Sequence, residues 1–227
     1  MDIDFIDLTN QDGIYVYSRS LSLVMVKAIK DLFGIETKIS IEHSINGNLY
    51  CEVKGDNITV DNEFLNKVKK EMQMTIDRNM PIERIMLSSD DAMEYASKYG
   101  MEDKARLLRY RRVSYVNVYK LGDFFDYYYG YMVPGTGYLK YFDLIPYQNG
   151  FMLMFPGKDP KVVAEFSATD KLFNTLNDSA QWGIDMGIRT VGELNDVIAS
   201  GRIQDMILVQ ESYMEQKIGD IAETIAS

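Results

Sequence analysis

The chain has 227 residues, enough to bury a substantial core as one large domain or as one domain with an appendage. Its 46% hydrophobic and 26% charged content is that of a folded protein. No apolar run approaches the ~20 residues of a membrane span. The acidic start Met1-Asp2-Ile3-Asp4 is unlike a signal peptide, so a cytoplasmic protein without a membrane partner is expected. The formal charge of −10 opposes non-specific nucleic-acid binding, which relies on Lys and Arg neutralising phosphates. A single cysteine, Cys51, excludes an internal disulfide, and together with the single histidine, His43, it argues against a metal centre or a histidine relay. No cofactor is expected.

In chain order, Leu21, Val24, Met25, Ala28, Ile29, Leu32 and Phe33 recur at helical spacing, with Ser18 or Ser20 available as the cap and Gly34 as the stop. Ile39 and Ile41, then Leu49, Cys51 and Val53, alternate with polar residues around Asn46-Gly47, the signature of a β-hairpin. A helix over 61–79, blocked by Pro81, precedes a short strand over 82–87. Next come a helix capped by Ser88 or Ser89 and stopped at Gly100, and a shorter one through Leu107 and Leu108. Residues 113–121 and 141–155 read as strands, the second broken at Gln148-Asn149-Gly150. After Pro156 the pattern turns helical, near 161–188, 190–200 and 203–226. The expected organisation is therefore an α+β domain over 1–157 and a helical region over 158–227, whose final helix is amphipathic.

Chemistry-bearing patterns are sparse. Lys104, Arg106, Arg109, Arg111 and Arg112 form the one basic cluster, read first as a solvated helix end and second as an anion contact. Residues 123–147 are rich in tyrosine, and strand alternation cannot bury Tyr127, Tyr128 and Tyr129 together, so at least one ring must face a cleft, a loop or solvent. The glycines from Gly130 to Gly137 lack the Lys-Ser/Thr pair and the following helix of a phosphate loop, so phosphoryl transfer by this chain alone is not expected. His43 reads first as a hydrogen-bonded structural residue, Cys51 as core, and Trp182 as packing.

Several segments in order resemble a known family. Arg19-Ser-Leu with Lys27-Ala-Ile-Lys-Asp-Leu-Phe33 resembles the start of the editing-like second domain of threonyl-tRNA synthetases. Residues 41–52 and 126–144, with Tyr129-Gly-Tyr-Met-Val-Pro134 and Thr136-Gly-Tyr-Leu-Lys-Tyr-Phe-Asp143, are closer still to a bacterial group that joins such a domain to a C-terminal P-loop kinase of the uridine or nucleoside kinase type. Residues 182–195 also fit that group. The resemblance implies an α+β fold, an antiparallel sheet with packed helices like that of the threonyl/alanyl-tRNA synthetase editing domain, followed by the helical region. It also implies a parent protein that binds ATP and acts as a uridine or nucleoside kinase, with the kinase domain of the same polypeptide as partner. The chain is then expected to be an excised piece or a natural protein lacking the kinase.

The synthetase editing site uses a His-x-x-x-His pair and a Cys-x-x-x-His pair. These fall here on Arg19 and Leu23, and on Tyr128 and Met132, while the family's aspartate matches Asp126. The resemblance therefore implies loss of deacylation and no catalytic residue. Arg19, Asp126, Tyr128 and Lys140 are expected to converge in the old cleft, with His43 and Tyr131 as further candidates, around a small anionic or nucleoside-like ligand. A plain Arg19–Asp126 ion pair is the competing reading. The expected role is a non-catalytic ligand-binding or regulatory domain. The alternatives are an aminoacyl-tRNA deacylase rebuilt on His43 and Asp126, and a structural domain that forms a homo-oligomer through its last helix.

Overall fold

The computed structural model describes residues 6–55, 58–157, 159–167 and 170–227; the acidic start at 1–4 and the expected boundary at Lys158 lie outside them. Helix α1 (Gln11–Phe33) begins well before the serines read as caps. Asn10 caps it, its side chain accepting from the Asp12 amide at 2.8 Å. Ser18 and Ser20 instead lie inside the helix and turn their hydroxyls back onto the Tyr15 and Val16 carbonyls. From Leu21 to Lys30 every residue is buried, so this half of α1 is enclosed by protein all round.

The hairpin forms as expected from β1 (Lys38–Ile45) and β2 (Asn48–Lys54), turning through Asn46 at φ 51° and Gly47 at φ 80°. Glu42 is an extra residue on β1, where the register shifts between Ile41 and His43. Asp61 caps α2 (Asn62–Asp77). After Pro81 come β3 (Ile82–Ser88), α3 (Ser89–Lys98) with Ser88 as its cap, and α4 (Glu102–Arg109). β4 (Tyr115–Leu121) returns along β3, and the short β5 (Phe124–Asp126), which periodicity did not disclose, adds to its edge. β6 (Asp143–Tyr147) and β7 (Gly150–Met154) follow, then α5 (Asp170–Asp185), α6 (Val191–Ala199) and α7 (Ile203–Ala226).

The strands form two antiparallel sheets, one ordered β1-β2-β7-β6 and the other β3-β4-β5, so the class is α+β. One core joins both sheets to α1 and α2, with Leu21, Met25, Val68, Leu121, Phe151 and Leu153 at its centre. Strand alternation sends Cys51 into that core and Tyr50 to the other face, where Tyr50, Tyr147 and Met152 pack on Phe173 of α5. A third cluster seats α3 and α4 on the smaller sheet through Ala92, Leu108, Val116 and Val118. In contrast, α7 buries none of its residues, and Trp182 of α5 stacks on its Tyr213 at 3.9 Å. Among the described residues no helix is long and apolar enough to cross a membrane.

Two polar ties fix the enclosed helix. Tyr17 donates to the Tyr141 carbonyl and accepts from the Tyr141 amide, both at 2.9 Å. Lys30 donates to the carbonyls of Ile35 (2.6 Å), Thr37 (3.0 Å) and Tyr99 (2.9 Å), and burial pulls its ammonium pKa down.

Two tests follow from this packing. A Cβ at Gly150 would fall 2.1 Å from the Cys51 carbonyl oxygen, whereas one at Gly47 meets nothing. In urea titrations Gly150→Ala is expected to cost about 3 kcal/mol, against about 1 kcal/mol for Gly47→Ala, whose only penalty is its left-handed backbone. Burial pushes the Tyr17 phenol up to about 12 from 10.0. The unfolded chain therefore releases this proton first, and stability falls as pH rises from 10.0 to about 12. Tyr17→Phe should flatten that part of an alkaline denaturation profile.

Candidate functional site

A cleft of about 540 Å³ opens beside α1, bordered by Ile39, Ile41 and Glu42 of β1, by the start of α4, and by Tyr127 and Tyr128. Val26 and Lys30 lie along it from the enclosed helix. Arg189 and Thr190, from the turn before α6, close one side. That turn is held by a reciprocal cap: the Thr190 hydroxyl accepts from the Glu193 amide, and the Glu193 carboxylate accepts from the amides of Arg189 (2.6 Å) and Thr190 (3.0 Å). Burial would raise the Glu193 pKa, but those amides and the Arg106 guanidinium hold it down. Arg189 also donates to Glu42 at 3.0 Å, so the bulged residue of β1 anchors the helical region to the sheet.

Beneath the cleft lies Asp126, the last residue of β5, with a side chain wholly excluded from solvent. One carboxylate oxygen accepts from Lys104 Nζ and from the Tyr127 amide at 2.6 Å. The other has no hydrogen-bond partner, the one such buried side-chain atom among the described residues. Lys104 Nζ also stands 5.0 Å above the Tyr128 ring. Burial first, and then the Asp126 carboxylate, push the Tyr128 phenol well up, so it stays a neutral hydroxyl.

The sequence-derived residues divide among separate places. Tyr128 borders the cleft, and Asp126 lies buried behind it, close enough to raise the Tyr128 phenol pKa. Arg19 does not pair with Asp126: its guanidinium donates to the Tyr131 carbonyl at 2.5 Å, and Asp126 takes Lys104 as its cation. The ion pair read from the sequence is thus corrected, because β5 aims Asp126 at α4 rather than at α1. Tyr131 is 70% exposed beneath Arg84. Lys140 lines a different, open recess of about 750 Å³ with Asn79 and Tyr138. His43 does not border the cleft, and its ring stacks on Tyr50, 6.3 Å away on the side of the sheet that faces α5. Of the consecutive tyrosines, Tyr128 packs against the main core, Tyr127 pairs with Arg111, and Tyr129 is 86% exposed.

Sequence reasoning missed Lys30, Lys104 and Arg189 as cleft residues. It also read the basic cluster as a solvated end. Lys104 reaches the buried Asp126 and Arg106 pairs at the surface with Glu193 and Asp196, while Arg109 and Arg112 are exposed. A signal existed in the alternation of these cations with Leu107 and Leu108 on one short helix. Among the described residues no group of His, Cys, Asp and Glu has the spacing to hold a metal ion.

Comparison with known proteins places these features. Part of the chain is similar to threonine–tRNA ligases. It is 29% identical over 142 residues to that of Syntrophotalea carbinolica, 33% over 138 residues to that of Halalkalibacterium halodurans, and 30% over 150 residues to that of Oceanobacillus iheyensis. These matches cover 63%, 60% and 66% of this chain but only 22%, 21% and 23% of the ligases. The chain thus spans about a fifth of the length of these relatives. No protein-family model matches it.

At three of the four positions where the resemblance places the synthetase His and Cys groups, Arg19 being the exception, the structure shows packing. Leu23 is fully buried in the main core, and Tyr128 and Met132 pack against that same core. Removing Lys104 would strand a buried carboxylate, so Lys104→Met is expected to cost about 3 kcal/mol. The double variant Lys104→Met/Asp126→Leu should regain most of that loss in chemical denaturation, since it removes both charges; an equal deficit in both would count against the pair.

Proposed function

We propose that this chain is a non-catalytic ligand-binding or regulatory domain derived from the editing domain of a threonyl-tRNA synthetase. The similarity to threonine–tRNA ligases over some 140 residues supports that origin. The observation that carries the loss of chemistry is Leu23, fully buried where a proton-shuttling imidazole would stand, with Met132 packed against the same core. An alkyl chain and a thioether neither shuttle protons nor hydrolyse an ester at neutral pH. The cleft of about 540 Å³ carries Lys104 and Tyr128 in its wall, with the Asp126 carboxylate bonded to Lys104 behind it, groups that orient a ligand rather than turn it over.

The wider setting of this reading is cytoplasmic, as part of a uridine- or nucleoside-kinase-like protein whose P-loop kinase is the partner. It rests on the sequence resemblance of residues 126–144 and 182–195. In that setting the cleft reports a small anionic or nucleoside-like molecule to the kinase through the α5–α7 region, which Arg189 and Arg106 tie to the cleft walls.

Thermal-shift titration with nucleosides, nucleotides and amino acids tests the binding role. A ligand at a hundredfold excess over Kd adds about 2.7 kcal/mol, which for a chain of this size raises Tm by about 5–10 °C. Lys104→Ala should abolish that shift, and mischarged threonine tRNA should be hydrolysed no faster than in buffer. Hydrolysis above the buffer rate, or no stabilisation by any compound, overturns the reading.

A further inference from the structure

Apart from the cleft, two guanidinium groups converge on Tyr131. Arg19 of α1 donates to its carbonyl at 2.5 Å, and the Arg84 guanidinium of β3 stands 5.3 Å from its ring centroid. Neither borders the cleft. Among the described residues neither has a carboxylate within ion-pair distance, whereas Lys104, Arg106 and Arg189 around the cleft each have one. Both cations approach the same residue without a counter-ion, and an anion that reached both would supply it.

The surroundings hold both groups in place. Arg84 is the cross-strand partner of Tyr119, so the two side chains share a face of the smaller sheet. The Tyr119 hydroxyl donates to the Gly130 carbonyl at 2.5 Å, which fixes the loop that carries Tyr131. Burial raises the Tyr119 phenol pKa, and both Arg84 and Arg19 act against that rise, so the two positive charges reach one point. Gly130 has φ 109°, and a Cβ there would fall 2.5 Å from Arg19 Nη1. A glycine at this position lets the guanidinium lie against the backbone.

We propose that Arg19 and Arg84, framed by Gly130 and Tyr131, form a binding site for the phosphate monoester of a small molecule. This extends the ligand-binding reading above, on residues separate from the cleft. Two planar forks suit a tetrahedral dianion, each offering paired donors, better than a monovalent carboxylate that one fork saturates. The chain's net charge of −10 sets the repulsion that disfavours a polyanionic nucleic acid while leaving a single phosphate group admissible. Tyr131, 70% exposed, offers a flat surface for the organic part of the ligand.

Titration calorimetry and 31P line broadening at low salt, with inorganic phosphate and adenosine monophosphate as probes and adenosine and acetate as controls, test the site. Both phosphates should bind and acetate should fail at the same concentration, while any adenosine binding belongs to the cleft and should be unchanged by Arg84→Gln. Arg84→Gln and Arg19→Gln should each weaken binding by about tenfold or more, and Gly130→Ala should weaken it by displacing the Arg19 guanidinium. Lys120→Gln, which removes an equal charge elsewhere on β4, should leave it unchanged. Unaltered affinity in a folded Arg84→Gln variant, or equal loss in Lys120→Gln, overturns the site. Nucleoside stabilisation that persists in Arg84→Gln separates the fate of this site from that of the cleft.

Discussion

Burying one half of α1 on every side is the constraint around which the rest is arranged. A helix enclosed from Leu21 to Lys30 has no solvent face for its polar residues, yet this stretch includes Ser22, Lys27 and Lys30. Each must be satisfied inside the protein. Ser22 bonds back to the Ser18 carbonyl. Lys27 reaches Asp31 and Asp123; burial alone would lower its pKa, and these carboxylates hold it raised. Lys30 takes carbonyls from the segment after α1 and from the end of α3, so one ammonium joins elements distant in sequence. The hairpin and the α3–α4 pair are thereby set at a fixed separation, and that separation is the cleft.

The same logic explains why the site is ionic at depth and aromatic at its rim. Asp126 is carried inward by β5, whose pairing with β4 leaves the carboxylate no route to water. Lys104 from α4 supplies the counter-charge, and its stem covers the Tyr128 ring. The second carboxylate oxygen of Asp126 is buried without a hydrogen-bond partner, which adds a desolvation cost to the site.

Scaffold and site place different demands on the sequence. Leu23 and Met132 illustrate the separation. Leu23 fills volume in the main core and Met132 packs against it, and neither brings a titratable group. An imidazole at Leu23 would place a polar ring in a fully buried environment. The region beyond β7 shows the complementary trend: it is tied to the domain by ion pairs at Arg106 and Arg189 and by the Phe173 ring, and then leaves the body of the protein as α7.

Local chemistry sufficed for much of the architecture. Alternation around Asn46-Gly47 determined the hairpin, Asp61 one helix start and Ser88 or Ser89 another, and Gly187 and Gly201 the breaks between the last helices, because each of these depends on neighbours within a few residues. The start of α1 was misread because Ser18 and Ser20 satisfy themselves on the preceding turn, and β5 was missed because three residues are too few to show a period. Partner choice was the part only the tertiary structure decided. Asp126 with Lys104, Arg19 with Tyr131, Lys30 with three carbonyls and Lys140 in its own recess all bring together groups far apart in the chain, or one short element apart but aimed by the sheet. Which cation meets which carboxylate is set by strand register and helix rotation, and neither quantity is written in residue spacing.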